Sequence, residues 1–337
     1  MTAWAISGGS GFLGVRLARR LVADGKRVRS LDLVPDLVPL GEPGVDAIVG
    51  DIRRAEDAEA LCRGTDVLVH AAAALPIRGA AAELRSVNVD GTAVLLRAAA
   101  QAGVGRIVMV STAVVYGLQP PPIVEAAEPQ PIEDYGRAKL EAEQLALAQD
   151  AVVLRPTAFL GPGRLGVFGI LFRFVRESRR VYVLGSGRNR YQLLDVDDLV
   201  DAILLAAERP VAAGTFNLGA DSPGTVREEL EALVRHAGSA SRVTSLPAGP
   251  ARSALATLDQ LGLSPLSRWH YMSADRDVVL DTARAKELLG WTPRFRNADT
   301  LARAYDWYLR DGAALPTGHT HRLPWRERAI GVVRRLS

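Results

Sequence analysis

The sequence predicts an α/β protein, a doubly wound parallel sheet with helices on both faces. Three observations carry that expectation. Short apolar runs at residues 3–7, 28–31, 47–49, 67–69, 107–110 and 152–154 alternate with longer, alanine-rich stretches of helical periodicity. Hydrophobicity in most of these runs is continuous instead of alternating with polar residues, so both faces of the strands are covered. The first run leads straight into a glycine-rich turn, Gly8-Gly9-Ser10-Gly11-Phe12-Leu13-Gly14, with a helical pattern behind it.

At 337 residues and 48% hydrophobic content, the chain can bury one large core or two interleaved ones. Its 41 Lys plus Arg nearly balance 38 Asp plus Glu, at a net +3. With no zinc-finger spacing, no RNA-binding aromatic signature and no concentrated basic stripe, a nucleic-acid partner is not expected. Cys62 is the single cysteine, which excludes an internal disulfide and fits a reducing cytoplasm. His319 and His321 have no cysteine or paired carboxylates nearby, so no metal site is expected. No apolar run reaches the roughly 18 residues of a membrane span. The expectation is a cytoplasmic protein acting on a small molecule.

Ligands on such sheets collect at the carboxyl ends of the strands, so the residues just past each strand carry the functional weight. After residues 3–7 come Gly8, Gly11 and Gly14, with Phe12 and Leu13 in the same turn. Missing side chains there let backbone N–H groups approach a pyrophosphate at the N-terminus of the helix over residues 15–23. The second run ends in Asp32. A carboxylate at that point accepts both ribose hydroxyls of an adenosine and repels a 2′-phosphate, so the expected cofactor is NAD rather than NADP. After the third run, Asp51 is placed to accept from the adenine amino group and Ile52 to pack on the ring. Ala71, Ala72 and Ala73 leave the backbone open beside the nicotinamide ribose. Thr112 ends the fifth run and offers a hydroxyl to a substrate oxygen, and Pro156, after the sixth, joins the expected cofactor contacts.

Tyr135 and Lys139 lie four positions apart, on one face of a helix. A free phenol titrates near ~10, so Tyr135 works as an acid or base near neutrality only if something lowers that value. An adjacent ammonium would do so by favouring the phenolate. Such pairs also decorate solvated helices; the strand-end residues around this one give it a chemical reading.

Taken in order, these motifs closely resemble the extended short-chain dehydrogenase/reductase family, which includes NAD-dependent nucleotide-sugar epimerases and dehydratases and 3β-hydroxysteroid dehydrogenase-like enzymes. The carriers are the glycine turn, Ser111-Thr112-Ala113-Val114-Val115-Tyr116-Gly117, the Tyr135 to Lys139 signature, and Arg155-Pro156 with Gly161-Pro162-Gly163. Val196-Asp197-Asp198-Leu199, Phe216-Asn217-Leu218-Gly219 and Glu287-Leu288-Leu289-Gly290-Trp291 come next, in family order. The resemblance implies a Rossmann-type fold and a homodimer packed through the Tyr135 helix and residues 88–100. It implies that Tyr135 exchanges a proton with a substrate hydroxyl or carbonyl, while Lys139 lowers its pKa and binds the nicotinamide ribose. It also implies that Thr112 fixes the substrate oxygen and that hydride passes between that carbon and C4 of nicotinamide.

Departures from the family pattern narrow the reaction. Sugar-nucleotide 4,6-dehydratases carry an Asp-Glu pair directly after the Ser/Thr hydroxyl; Ala113 and Val114 stand there, which disfavours dehydration. Epimerases commonly carry an Asn where this chain has Ala158, and their nucleotide-gripping arginine is matched only loosely, by Arg190. In place of those anchors come Phe159 and a stripe of Phe168, Leu171, Phe172 and Val175, which at helical spacing reads mostly as core and otherwise as a lipophilic pocket wall. Expected substrate contacts are Ala113, Val114, Phe159 and Arg190. The expected activity is NAD-dependent interconversion of a secondary alcohol and a ketone, on a lipophilic substrate. A nucleotide-sugar epimerase with tightly retained NAD is the alternative, and a non-catalytic dinucleotide sensor is disfavoured by the intact Thr112, Tyr135 and Lys139.

The expected division is an NAD-binding domain over residues 1–156, rejoined by residues 191–220, and a smaller, mostly helical substrate-binding domain over residues 157–190 and 221–315. Residues 195–207 read as a helix back on the cofactor domain, with Asp197 and Asp198 near its N-terminus for structural reasons. Residues 269–277, aromatic and polar, serve to close the pocket or to pack the domains. Residues 316–337 form a basic tail, read as frayed in preference to a membrane-contacting amphipathic helix.

Overall fold

The computed structural model describes residues 2–34, 44–75, 81–261, 263–264 and 266–312. The expected tail, with His319 and His321, lies outside the described residues. The first half of the chain runs Ala3–Ser7 (β1), Phe12–Ala23 (α1), Arg27–Asp32 (β2), Val45–Val49 (β3), Ala55–Cys62 (α2), Val67–His70 (β4), Ala81–Arg85 (α3), Thr92–Gln101 (α4), Arg106–Val110 (β5), Asp134–Leu147 (α5) and Val152–Pro156 (β6). The second half runs Ala158–Leu160 (β7), Phe168–Arg176 (α6), Val181–Leu184 (β8), Leu193–Asp195 (β9), Val196–Glu208 (α7), Gly214–Leu218 (β10), Val226–His236 (α8), Val243–Leu246 (β11), Ala248–Gln260 (α9), Arg268–Ser273 (α10) and Asn297–Trp307 (α11).

Seven parallel strands form one sheet in the order β10-β6-β5-β4-β1-β2-β3, with helices on both faces, as the apolar runs require. Side chains alternate across each strand, and in the central strands β1, β4, β5 and β6 both sets are mostly apolar and buried. Trp4, Ile6, Val108, Val110, Val152 and Leu154 face one core, with α1 and α7; Ala5, Ile107, Met109 and Val153 face the other, with α2, α4 and α5. Chain order reverses at β1, which lies between β2 and β4. That reversal opens a crevice at the carboxyl ends of β1 and β4, where Ser7 pairs with His70.

A third core gathers Leu160, Leu165, Phe172, Val175, Leu233, Leu301, Tyr305 and Tyr308. Phe172 is 0% exposed, with ring centroids 5.6 Å from Tyr305 and 5.7 Å from Tyr308. The stripe on α6 is therefore core. The region read as mostly helical also carries two small parallel pairs, β8 with β11 and β7 with β9. Alternation of buried Val181 and Val183 with half-buried Tyr182 and Leu184 makes that segment a strand. Asp197 and Asp198 are structural: Asp197 holds Arg16 at 2.7 Å, and Asp198 accepts from the Arg294 and Phe295 nitrogens, each at 3.1 Å.

Phe172→Ala should cost about 3–5 kcal/mol in urea unfolding, as expected for deleting a buried aromatic ring. Phe168→Ala, on the half-buried side of the same helix, should cost clearly less. The opposite ranking would remove Phe172 from the core and return α6 to the pocket wall.

Candidate active site

The crevice begins at Gly8, whose φ is +78° and where a Cβ would stand 2.7 Å from the Ala72 nitrogen. A Cβ on Gly14 would lie 2.2 Å from the Gly8 carbonyl oxygen, so the turn is folded tightly on itself and against the end of β4. Gly11 caps α1 with no side-chain hydrogen bond, and the first turn holds no acid. Such a helix start is suited to an anion. Asp32 accepts from the Ser10 nitrogen at 3.0 Å and the Val34 nitrogen at 3.3 Å. Burial pushes its carboxyl up, and those amides pull the other way.

Asp51 is already engaged. Arg53 Nε lies 3.0 and 2.9 Å from its two oxygens, and this guanidinium holds the carboxyl below the usual range against the opposing effect of burial. An adenine amino group would have to share the carboxylate with Arg53. Ile52, expected against the ring, is 4% exposed and packs in the core beside Gly91. The apolar surface open here belongs instead to Leu33 and Val49, 60% and 56% exposed, which with Gly50, Asp51, Arg54 and Asp57 line a cleft of about 370 Å³.

Next to the glycine turn, Ser7 Oγ lies 2.7 Å from His70 Nδ1, and His70 Nε2 lies 2.8 Å from Thr92 Oγ1. The Thr92 hydroxyl donates to the Asn88 carbonyl at 2.7 Å, so Nε2 carries the imidazole proton and Nδ1 accepts from Ser7. Burial, then the Lys139 charge, push His70 down to about 3 and keep it neutral. Asn88 takes the Ala74 nitrogen at 2.8 Å and gives to its carbonyl at 3.1 Å. Ala71, Ala72 and Ala73 are thereby held between two anchored points. Ser7, Asn88 and Thr92 escape a reading of the sequence, since each looks ordinary until the strand ends are paired.

Thr112 Oγ1 accepts from the Val114 nitrogen at 3.2 Å and caps the single turn Ala113–Tyr116, which leaves its proton to be donated outward. Ala113 is buried with Tyr116, Ile123 and Leu280, and Val114 packs against Gly136, where a Cβ would stand 3.3 Å from it. Pro156 ends β6, paired with Leu218. Lys139 is 2% exposed and donates to the Val110 carbonyl at 2.8 Å. Burial pushes it down to about 8, with Glu143 resisting. Tyr135, half-buried in the first turn of α5, is pushed up to about 12 by burial and by the Glu133 charge, with Arg164 opposing. The phenol lowered by Lys139 is thus not a property of the chain alone: burial outweighs the neighbouring charges, and the ammonium is turned to Val110.

Two further charged groups act on Tyr135, Glu133 just before it in the chain and Arg164 from beyond β7. Glu133 accepts from the Trp269 nitrogen at 3.0 Å and so ties α10 to the start of α5, while Trp269 Nε1 donates to the Tyr191 hydroxyl at 3.0 Å. The Arg164 guanidinium sits 4.6 Å from the Phe159 ring centroid and 5.7 Å from that of Phe12, and those two rings stack 6.1 Å apart. Phe159 is therefore brought to the glycine turn. His270 is pushed down to about 4 by burial and by Arg164. Arg190 is not brought in: its nitrogen donates to Asp277 at 2.6 Å, and it lines a groove of about 370 Å³ with Pro121, Pro122 and Asp221. On an extended segment residues 190 and 191 point opposite ways, and it is Tyr191 that meets Trp269.

Residues 4–219 match the family described as NAD dependent epimerase/dehydratase. The uncharacterized protein y4nG of Sinorhizobium fredii is 34% identical over 97% of this chain and 84% of its own. The 4-hydroxy-2-methyl-3-oxo-4-farnesyl-3,4-dihydroquinoline-1-oxide ketoreductase of Stigmatella aurantiaca is 31% identical, covering 88% of this chain and 93% of its own. Among solved structures, MoeE5 in complex with UDP-glucuronic acid and NAD is 26% identical, covers 92% of this chain and 99% of its own, and superposes with a TM-score of 0.75. Matched over most of its length in sequence and in fold, the chain belongs to the NAD dependent epimerase/dehydratase family.

Proposed function

We propose that the chain is an NAD-dependent oxidoreductase that interconverts a secondary alcohol and a ketone on a lipophilic substrate. The observation that carries this reading is the aromatic grouping joined to Tyr135 through its two charged neighbours: Phe12 and Phe159 lie under Arg164, Trp269 is held by Glu133 and meets Tyr191, while Arg190 lies in another groove. The ketoreductase of Stigmatella aurantiaca, whose named substrate bears a farnesyl chain, supports it.

The residues present fit NAD. The uncapped start of α1 suits the pyrophosphate, Asp32 the adenosine ribose, and the cleft at Leu33 and Val49 the adenine. The bound nicotinamide would supply the hydride acceptor or donor. In the oxidative direction Thr112 donates to the carbinol oxygen and fixes it. Tyr135, as phenolate, takes the hydroxyl proton; in the reductive direction the phenol returns it. Lys139 holds the ribose and favours the phenolate. Residues 157–190 and 221–315 are the proposed substrate-binding side, with α10 tied to the start of α5 through Glu133.

Arg164 favours a second reading, a nucleotide-sugar epimerase that retains its NAD, because a guanidinium beside Tyr135 suits a diphosphate. The two differ in redox balance. Incubated with NAD and a panel of lipophilic secondary alcohols, the protein should form NADH in stoichiometric amounts; conversion of UDP-sugars with no NADH released would establish the epimerase instead. Tyr135→Phe should lower kcat by about 10²–10⁴ with NAD affinity unchanged; full activity in that variant would remove Tyr135 from the chemistry. Asp32→Ala should weaken NAD binding by about 10–100-fold in a fluorescence titration, the loss expected for charge-assisted hydrogen bonds. An unchanged Kd would sink the ribose assignment.

A further inference from the structure

The helix that carries Tyr135 and Lys139 presents a third group on the same face, Glu143, one further turn along. Glu143 is 1% exposed. Arg155 Nε lies 3.1 Å from each of its carboxylate oxygens and Arg155 Nη2 lies 2.6 Å from Oε2. The Ser111 hydroxyl donates to Oε1. Beyond the ion pair, Arg155 Nη1 donates to the Tyr116 hydroxyl at 2.8 Å, which donates to Asn217 Oδ1 at 2.8 Å. This network joins α5, the ends of β5 and β6, and β10. Ser111 directly precedes Thr112, and Arg155 directly precedes Pro156.

We propose that Glu143, clamped by Arg155 and Ser111, is a positioning residue that keeps Lys139 charged and holds the α5 pair in register with Thr112. A buried ion pair is weak support for stability, because desolvation offsets most of its attraction. Its location gives the better reason for it. The groups facing Lys139 are Tyr135 and Glu143 from its own helix, the Val110 carbonyl from β5, neutral His70 from β4 and, across Glu143, Arg155 from β6. Glu143 is the acid among them. An ammonium is charged below its pKa and loses its charge as pH rises through it. Removing the Glu143 charge therefore moves that loss to lower pH, and the uncompensated Arg155 adds to the move.

The chain has three lysines, Lys26, Lys139 and Lys286, so [¹³C]lysine labelling gives a spectrum in which Lys139 is assigned by its disappearance in Lys139→Arg. In wild type Lys139 should titrate near 8. In Glu143→Gln, which keeps the shape, it should titrate about one unit or more lower. The double variant Glu143→Leu with Arg155→Met replaces the pair by apolar side chains and keeps the test open should the single variant fail to fold. Lys139 should again titrate below the wild-type value there, by less, because the repelling guanidinium is gone too. A Lys139 midpoint unmoved in every variant that folds overturns the proposal. The consequence for turnover rests on Tyr135 and Lys139 being the proton-transfer pair. A shifted lysine with an unshifted alkaline limb of kcat would contradict that assignment and leave the role of Glu143 toward Lys139 standing.

Discussion

An ammonium group 2% exposed is the constraint on which the centre of this molecule depends. Taking such a charge out of water costs several kcal/mol even after relaxation, and a lone hydrogen bond to the Val110 carbonyl does not repay that. The surroundings of Lys139 make sense as compensation. Glu143 stands one turn along the helix, His70 is locked neutral by Ser7 and Thr92 instead of adding a second charge, and Arg155 keeps Glu143 fixed. These partners come from β1, β4, β6, α4 and α5, so the crevice at the chain reversal and the buried lysine are parts of one arrangement.

Tyr135 shows the other side of the same burial. With its phenol near 12, almost none is ionised at neutrality, and bringing it there asks for roughly 5–7 kcal/mol of interaction favouring the phenolate. A unit charge at about 4–5 Å supplies roughly 3–4 kcal/mol at an effective dielectric near 20. One charge is too little; two close the gap. Lys139 turned from Val110 toward the site would provide one, and a bound oxidised nicotinamide, with its positive ring, would provide the other. On that arithmetic the proposed proton transfer needs the charge of the cofactor as well as that of Lys139.

Much of this was legible in the sequence, for physical reasons that differ by element. The sheet was readable because strands covered on both faces are apolar at most positions in a row, as Ile6, Leu68, Val108 and Val153 show. The glycine turn, Asp32, and the Tyr135 and Lys139 spacing were readable because each is local. Less legible were the places where a residue's partner is not fixed by spacing. Arg53 occupies Asp51 from two positions away, Gly91 draws Ile52 into the core, and an extended backbone turns Arg190 outward and Tyr191 inward. Arg164 reaches Tyr135, and His270 reaches Arg164, only once distant loops are folded together, and nothing in their sequence neighbourhoods marks that meeting.

The proposed function asks bound NAD⁺ to bring Tyr135 to its phenolate, and a phenolate absorbs near 295 nm where a phenol does not. The ultraviolet difference spectrum of the protein with and without NAD⁺, recorded from neutral to alkaline pH and compared with Tyr135→Phe, measures this directly. The expected result is a single phenolate appearing near neutral pH only when NAD⁺ is bound, and absent from the variant. A Tyr135 that stays protonated at pH 9 with NAD⁺ bound would contradict it.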